Sequence, residues 1–98
     1  MKIFKTLIEG KNCWANFDGT TRQLGFFTTR TAHGLDAVQA EKAIRQKLNQ
    51  ELDSVLLNSQ NDPPEIIVSK LIEIDSETAS GIPDAGCTWY PEGPSHPN

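Results

Sequence analysis

The sequence predicts an α+β domain: an antiparallel sheet of about four strands with one long helix packed on one face, in the order β-β-β-α-β-β. Three observations carry this. Runs rich in β-branched and aromatic residues, several alternating with period two, lie on both sides of one central segment. That segment, from Asp36 to Asn58, repeats its apolar residues at spacings of three and four. Short clusters of Gly, Asn, Asp and Pro separate the runs. The chain has 98 residues, enough for one domain and not two.

The first run, 2–9, places Phe4, Thr6 and Ile8 on one face and Ile3, Lys5 and Leu7 on the other. Gly10-Lys11-Asn12 has turn chemistry. Residues 13–17 then read either as a second strand or as the first continuing after a bulge, with Cys13, Ala15 and Phe17 opposite Trp14. Asp18-Gly19 is a hairpin signal, because glycine accepts positive φ. Residues 23–32 form the next strand.

The helix starts at Asp36, a capping residue, with Gln39 three positions on as in a capping box. Its apolar stripe is Ala40, Ile44, Leu48, Leu52, Val55 and Leu56. Gly and Pro are absent from 35 to 57, Asn58 suits a helix end, and Pro63-Pro64 forbids continuation. Such a helix would run about 30 Å. Residues 65–75 are the most β-like run. Strict alternation puts Ile66, Val68, Ile72 and Ile74 on one face around Lys70, and Ile67 and Leu71 on the other. Residues 76–86 read as a polar loop, and 87–90 as a short last strand stopped by Pro91. Residues 1–91 therefore form the domain, and 92–98 a flexible Pro/Gly/Ser tail.

No stretch approaches the roughly 20 apolar residues of a membrane span, and residues 1–5 lack a signal-peptide apolar run. The expected location is cytoplasmic. There Cys13 and Cys87 are free thiols that pack as small hydrophobes. The net charge is −4, unevenly spread. Residues 1–50 carry eight basic against four acidic side chains, and 51–98 carry one basic against nine acidic. The two halves either neutralise each other within the fold or steer a charged partner or a second copy.

Thr28, Thr29, Arg30 and His33 form an anion-binding candidate just before the helix start. The competing reading pairs Arg30 with an acid from the second half. A phosphate loop would want more glycine than Gly34 alone. His33 has no orienting partner legible in sequence, so no catalytic residue is assigned and the chain is read as a non-enzyme. Cys13, Cys87, His33 and His96 match no zinc spacing, so no metal or other cofactor is expected. Trp14, Phe27, Trp89 and Tyr90 are interface candidates. An aromatic platform for nucleic acid would need a basic surround that an acidic chain lacks.

Leu24-Gly25-Phe26-Phe27-Thr28-Thr29-Arg30 and Gly86-Cys87-Thr88-Trp89-Tyr90-Pro91-Glu92, with a helix between them, resemble a family of small bacterial proteins. Those carry a GF-aromatic-TTR strand and a closing G-x-T-aromatic-YPE segment. The resemblance covers most of the chain and implies no activity. In topology alone the strand–helix–strand pattern is also similar to the antitoxin subunits of toxin–antitoxin pairs. One helix covers one sheet face, yet apolar residues occupy both. The expectation is a homodimeric, non-enzymatic protein-binding or accessory domain. A small-anion or nucleotide-binding module and an antitoxin-like subunit binding a basic toxin are the alternatives.

Overall fold

A computed structural model describes residues 1–17, 19–83 and 86–92. Among these the elements are β1 (Lys2–Phe17), β2 (Thr20–Gly34), α1 (Ala37–Asp53), β3 (Glu65–Ile74), α2 (Ser76–Ala79) and β4 (Thr88–Pro91). The fold is α+β, with one antiparallel sheet of four strands in the spatial order β3-β1-β2-β4.

The chain order therefore differs from the expected β-β-β-α-β-β. The two N-terminal runs are one strand, β1, interrupted by a bulge where its register with β2 shifts between Gly10 and Cys13. Asn12 sits at the bulge with φ 56°, a left-handed conformation that asparagine tolerates better than most residues. Its side chain binds the bulge in place. Nδ2 donates to Asp62 Oδ1 (2.8 Å) and to the Pro63 carbonyl (3.1 Å), and Oδ1 accepts from Gln23 Nε2 (2.7 Å). The turn chemistry of residues 10–12 thus builds a bulge, because the chain continues forward instead of reversing. A one-turn helix, α2, also replaces part of the expected polar loop, capped by Asp75 Oδ1 accepting from the Thr78 N–H at 2.7 Å. That bond holds the exposed Asp75 carboxyl below its ordinary pKa.

Helix α1 begins where the cap chemistry places it. Asp36 Oδ1 accepts from the Gln39 N–H at 2.8 Å. Gln39 Oε1 in turn accepts from the Leu35 N–H at 2.6 Å. The helix is shorter than its apolar stripe suggests: 17 residues, about 25 Å. It ends at Asp53 because the following chain is drawn to the sheet. The Leu57 N–H donates to the Trp14 carbonyl (2.7 Å), and Asn58 Oδ1 accepts from the Trp14 N–H (2.9 Å). These bonds use the edge of β1 beyond Lys11, where β3 no longer pairs.

Ala40, Ile44, Leu48 and Leu52 of α1 are buried against Phe4, Ile8, Cys13, Phe26 and Ala32. Leu56, Ile66, Val68, Leu71, Cys87 and Trp89 pack around this cluster. Strand β3 carries a second bulge, where its register with β1 shifts between Leu7 and Ile8. The extra residue reverses the alternation from that point. Ile66, Val68 and Leu71 face the helix, while Ile67, Lys70, Ile72 and Ile74 face away, in register with Glu9, Leu7, Lys5 and Ile3. The strict alternation read from sequence is corrected accordingly.

Candidate functional site

The two faces of the sheet differ, and the difference starts with residue parity along β2. Its even residues, Leu24 to Ala32, point to the helix and are buried. Its odd residues, Phe27 to His33, point the other way and are half-buried or exposed.

On the helix side the two motif segments meet. Strand β4 pairs with β2 as Leu24↔Pro91, Gly25↔Tyr90, Phe26↔Trp89 and Phe27↔Thr88. Trp89 stacks tilted on Phe26, with ring centroids 5.1 Å apart. The Glu92 N–H donates to the Gln23 carbonyl (2.9 Å), and Glu92 Oε1 accepts from the Asn12 N–H (2.8 Å). Glu92, which sequence assigns to the tail, is thus bonded to both hairpin strands; residues 93–98 lie outside the described residues.

Arg30 is the centre of this seam and is 1% exposed. Its guanidinium donates to both oxygens of Glu51 at 3.0 and 2.7 Å. It also donates to Thr28 Oγ1 (3.0 Å) and the Gly86 carbonyl (3.0 Å). Thr28 Oγ1 itself donates to the Gly86 carbonyl at 2.8 Å. The Glu51 hydrogen bonds raise the Arg30 pKa further above its ordinary value, so the cation persists despite burial. Burial raises the Cys13 thiol to about 11, with the Glu92 carboxylate adding to the effect. The Cys87 thiol is raised too, by burial first, although neighbouring Arg30 works against it. Neither cysteine is bridged.

The four anion-binding candidates do not converge. Thr28 and Arg30 lie on the helix side, with the hydroxyl and guanidinium engaged as described. Thr29 and His33 lie on the opposite face. Among the described residues no group of three or more His, Cys, Asp and Glu side chains could hold a metal ion, and His96 lies outside them. No helix among the described residues is long and apolar enough to cross a membrane.

On the open side, β1 presents Ile3, Lys5, Leu7 and Glu9, and β3 presents Ile67, Lys70, Ile72 and Ile74. Strand β2 adds Phe27, Thr29, Thr31 and His33. Phe27 is 53% and Ile72 46% exposed. Of the four interface candidates, Phe27 and Tyr90 stack on this face, with centroids 5.3 Å apart. Trp14 shares the face farther along β1, in register with Gln23. Trp89 does not share it; its register with Phe26 directs the indole into the core. Burial, then the carboxylates of Glu9 and Glu92, raise the Tyr90 hydroxyl pKa above its ordinary value.

A shallow groove of about 360 Å³ runs over Leu7, Phe27, Thr29, Ser69 and Thr88. It opens beside a second hollow of about 410 Å³ lined by Phe27, Pro83, Gly86 and Cys87. The first has no acid, base or thiol in its lining. Its lining joins apolar Leu7, Ile8 and Phe27 to the hydroxyl side chains of Thr28, Thr29, Ser69 and Thr88. Sequence reasoning missed how continuous this face is, because the β3 bulge that brings Ile72 and Ile74 beside Ile3 and Lys5 has no local signal. Comparison with protein-family models, curated proteins and solved structures finds no match to this chain.

Proposed function

We propose that this chain is a non-enzymatic, homodimeric protein-binding or accessory domain of a bacterial cell, and that a second copy packs on the face of its sheet opposite α1. The observation that carries this is the placement of Ile3, Leu7, Phe27, Ile67, Ile72, Ile74 and Tyr90 on one face opposite α1. A single helix layer buries one side of a sheet only, and apolar sheet faces are buried in stable folds by a second layer. A second sheet at about 10 Å is the usual layer for an antiparallel sheet. The face spans five register levels, about 27 Å along the strands. Across three to four strands that is on the order of 500 Å² per copy, at the lower bound of specific interfaces.

The reading as a non-enzyme rests on the way the reactive side chains are used. Arg30, Thr28 and the two cysteines serve packing and internal hydrogen bonds. The resemblance to the bacterial GF-aromatic-TTR proteins fits this reading, since its two segments meet as one structural seam. Size-exclusion chromatography with light scattering tests the proposal directly. At tens of micromolar the mass should be twice the chain's 10.8 kDa. A clean monomer across that range overturns it.

A further inference from the structure

Resting on the homodimer reading, we infer that the two copies are related by a two-fold axis that crosses the strands at the level of Leu7, so that Lys5 of each copy faces Glu9 of the other. Three observations lead there. Lys5, Leu7 and Glu9 are successive residues of one face of β1, which lies inside the sheet between β3 and β2. Lys5 and Glu9 are both half-buried on this face, and Glu9 Oε2 accepts from the Tyr90 hydroxyl at 3.5 Å. Their backbones are about 13 Å apart along an extended strand, too far for a contact pair. Among the described residues neither belongs to a salt bridge.

The placement of these charges selects the symmetry. If the axis ran along β1, each Lys5 would meet the partner's Lys5, and each Glu9 the partner's Glu9. Like charges opposed in a closing interface oppose association. If the axis crosses the strands at Leu7, β1 lies over the partner's β1 in the opposite direction. The grooves over Leu7 of the two copies then face each other at the centre, flanked on each side by one Lys5–Glu9 pair. The same operation sets Ile67 over the partner's Ile72, because Ile67 is level with Glu9 and Ile72 with Lys5. Lys70, level with Leu7, then approaches its own counterpart. It is exposed on the edge strand, from which its long stem carries the ammonium into water.

Charge reversal in the full chain tests the arrangement. Lys5→Glu makes one copy's central pair all acidic, and Glu9→Lys makes it all basic. Each variant alone should weaken self-association at least tenfold, measured by light scattering and sedimentation equilibrium. Mixed in equal amounts, the two variants should associate to within a few-fold of the unaltered chain, since each acidic position then faces a basic one. The double variant should self-associate likewise. Recovery on mixing also demonstrates that both single variants are folded. If the unaltered chain dimerises and reversal changes nothing, or mixing recovers nothing, the inferred axis is wrong while the homodimer stands. If the unaltered chain is monomeric, the homodimer reading itself fails.

Discussion

Arg30 shows how one side chain changes meaning once its neighbours are known. In the sequence it stands among hydroxyls before a helix, which suggests either anion binding or pairing with an acid of the second half. In the fold its anion is Glu51, held by two parallel hydrogen bonds. Arg30 is 1% exposed and the Glu51 side chain 33%, so the main loss in Arg30→Ala is the buried stem and its charge-assisted hydrogen bonds, about 1.5–3 kcal/mol in urea denaturation. Arg30→Met should cost less, because it refills the space of the stem. Cys13 makes a second prediction at this scale. Its folded pKa of about 11 lies above the ordinary 9.0. Below pH 9 both folded and unfolded thiols hold their proton, and the difference contributes no slope. Between about pH 9 and 11 the unfolded state releases its proton first, so stability falls as pH rises. Denaturation midpoints from pH 7 to 10.5 should therefore decline less steeply in Cys13→Ala than in the unaltered chain.

Among the elements, the starts of β1 and β3 and the helix cap were legible because local chemistry decides them, whereas β2 starts at Thr20, three residues before the run read as its strand. Asp36 and Gln39 name the helix start, and the alternation of Phe4, Thr6 and Ile8 survives intact in β1. The helix end was not legible. Leu57 and Asn58 leave the helical path for Trp14, 43 and 44 positions away in sequence. Two glycines are also decided between elements. A Cβ on Gly10 would fall inside the Phe26 ring, and one on Gly25 inside the Tyr90 ring. Gly10→Ala should thus destabilise the fold by about 1–3 kcal/mol, since buried Phe26 has no free space to yield. Gly25→Ala should act mainly on β4. Hydrogen exchange at Thr88–Tyr90 should quicken more than at the centre of β1, and uniform protection in the variant would contradict this.

For the whole molecule, the two faces of one sheet predict opposite outcomes for neighbouring aromatics. Trp89 is half-buried and packs on the core with Phe26, so Trp89→Ser should lower stability by about 1–3 kcal/mol. Phe27 is half exposed on the open face, so Phe27→Ser should leave the melting temperature of the monomer nearly unchanged. Its effect should appear instead as weaker self-association, read by light scattering over a concentration series. A Phe27→Ser chain that unfolds before it dissociates would contradict this division. Charge follows the same logic. The basic first half and acidic second half meet inside the fold at Arg30–Glu51 and, more weakly, at Lys2–Glu73, 4.0 Å apart at the surface. Lys5 and Glu9 belong to neither pair and are the charges through which a second copy could be oriented.

The α+β class, the helix start, the β-branched strands and the presence of apolar residues on both sides of the sheet are legible in the chain alone. Each follows from periodicity, capping or turn chemistry, which act over a few residues. Tertiary structure decided the rest. The bulges at Asn12 and in β3 turned two runs into one strand and realigned Leu71, Ile72 and Ile74. Strand β4, reached only after the chain leaves the far edge of the sheet, placed Trp89 inside and Tyr90 outside. Glu51 claimed Arg30 across one helix–sheet contact. These outcomes depend on which distant groups satisfy a buried donor or fill a space, and no local pattern of residues encodes that choice.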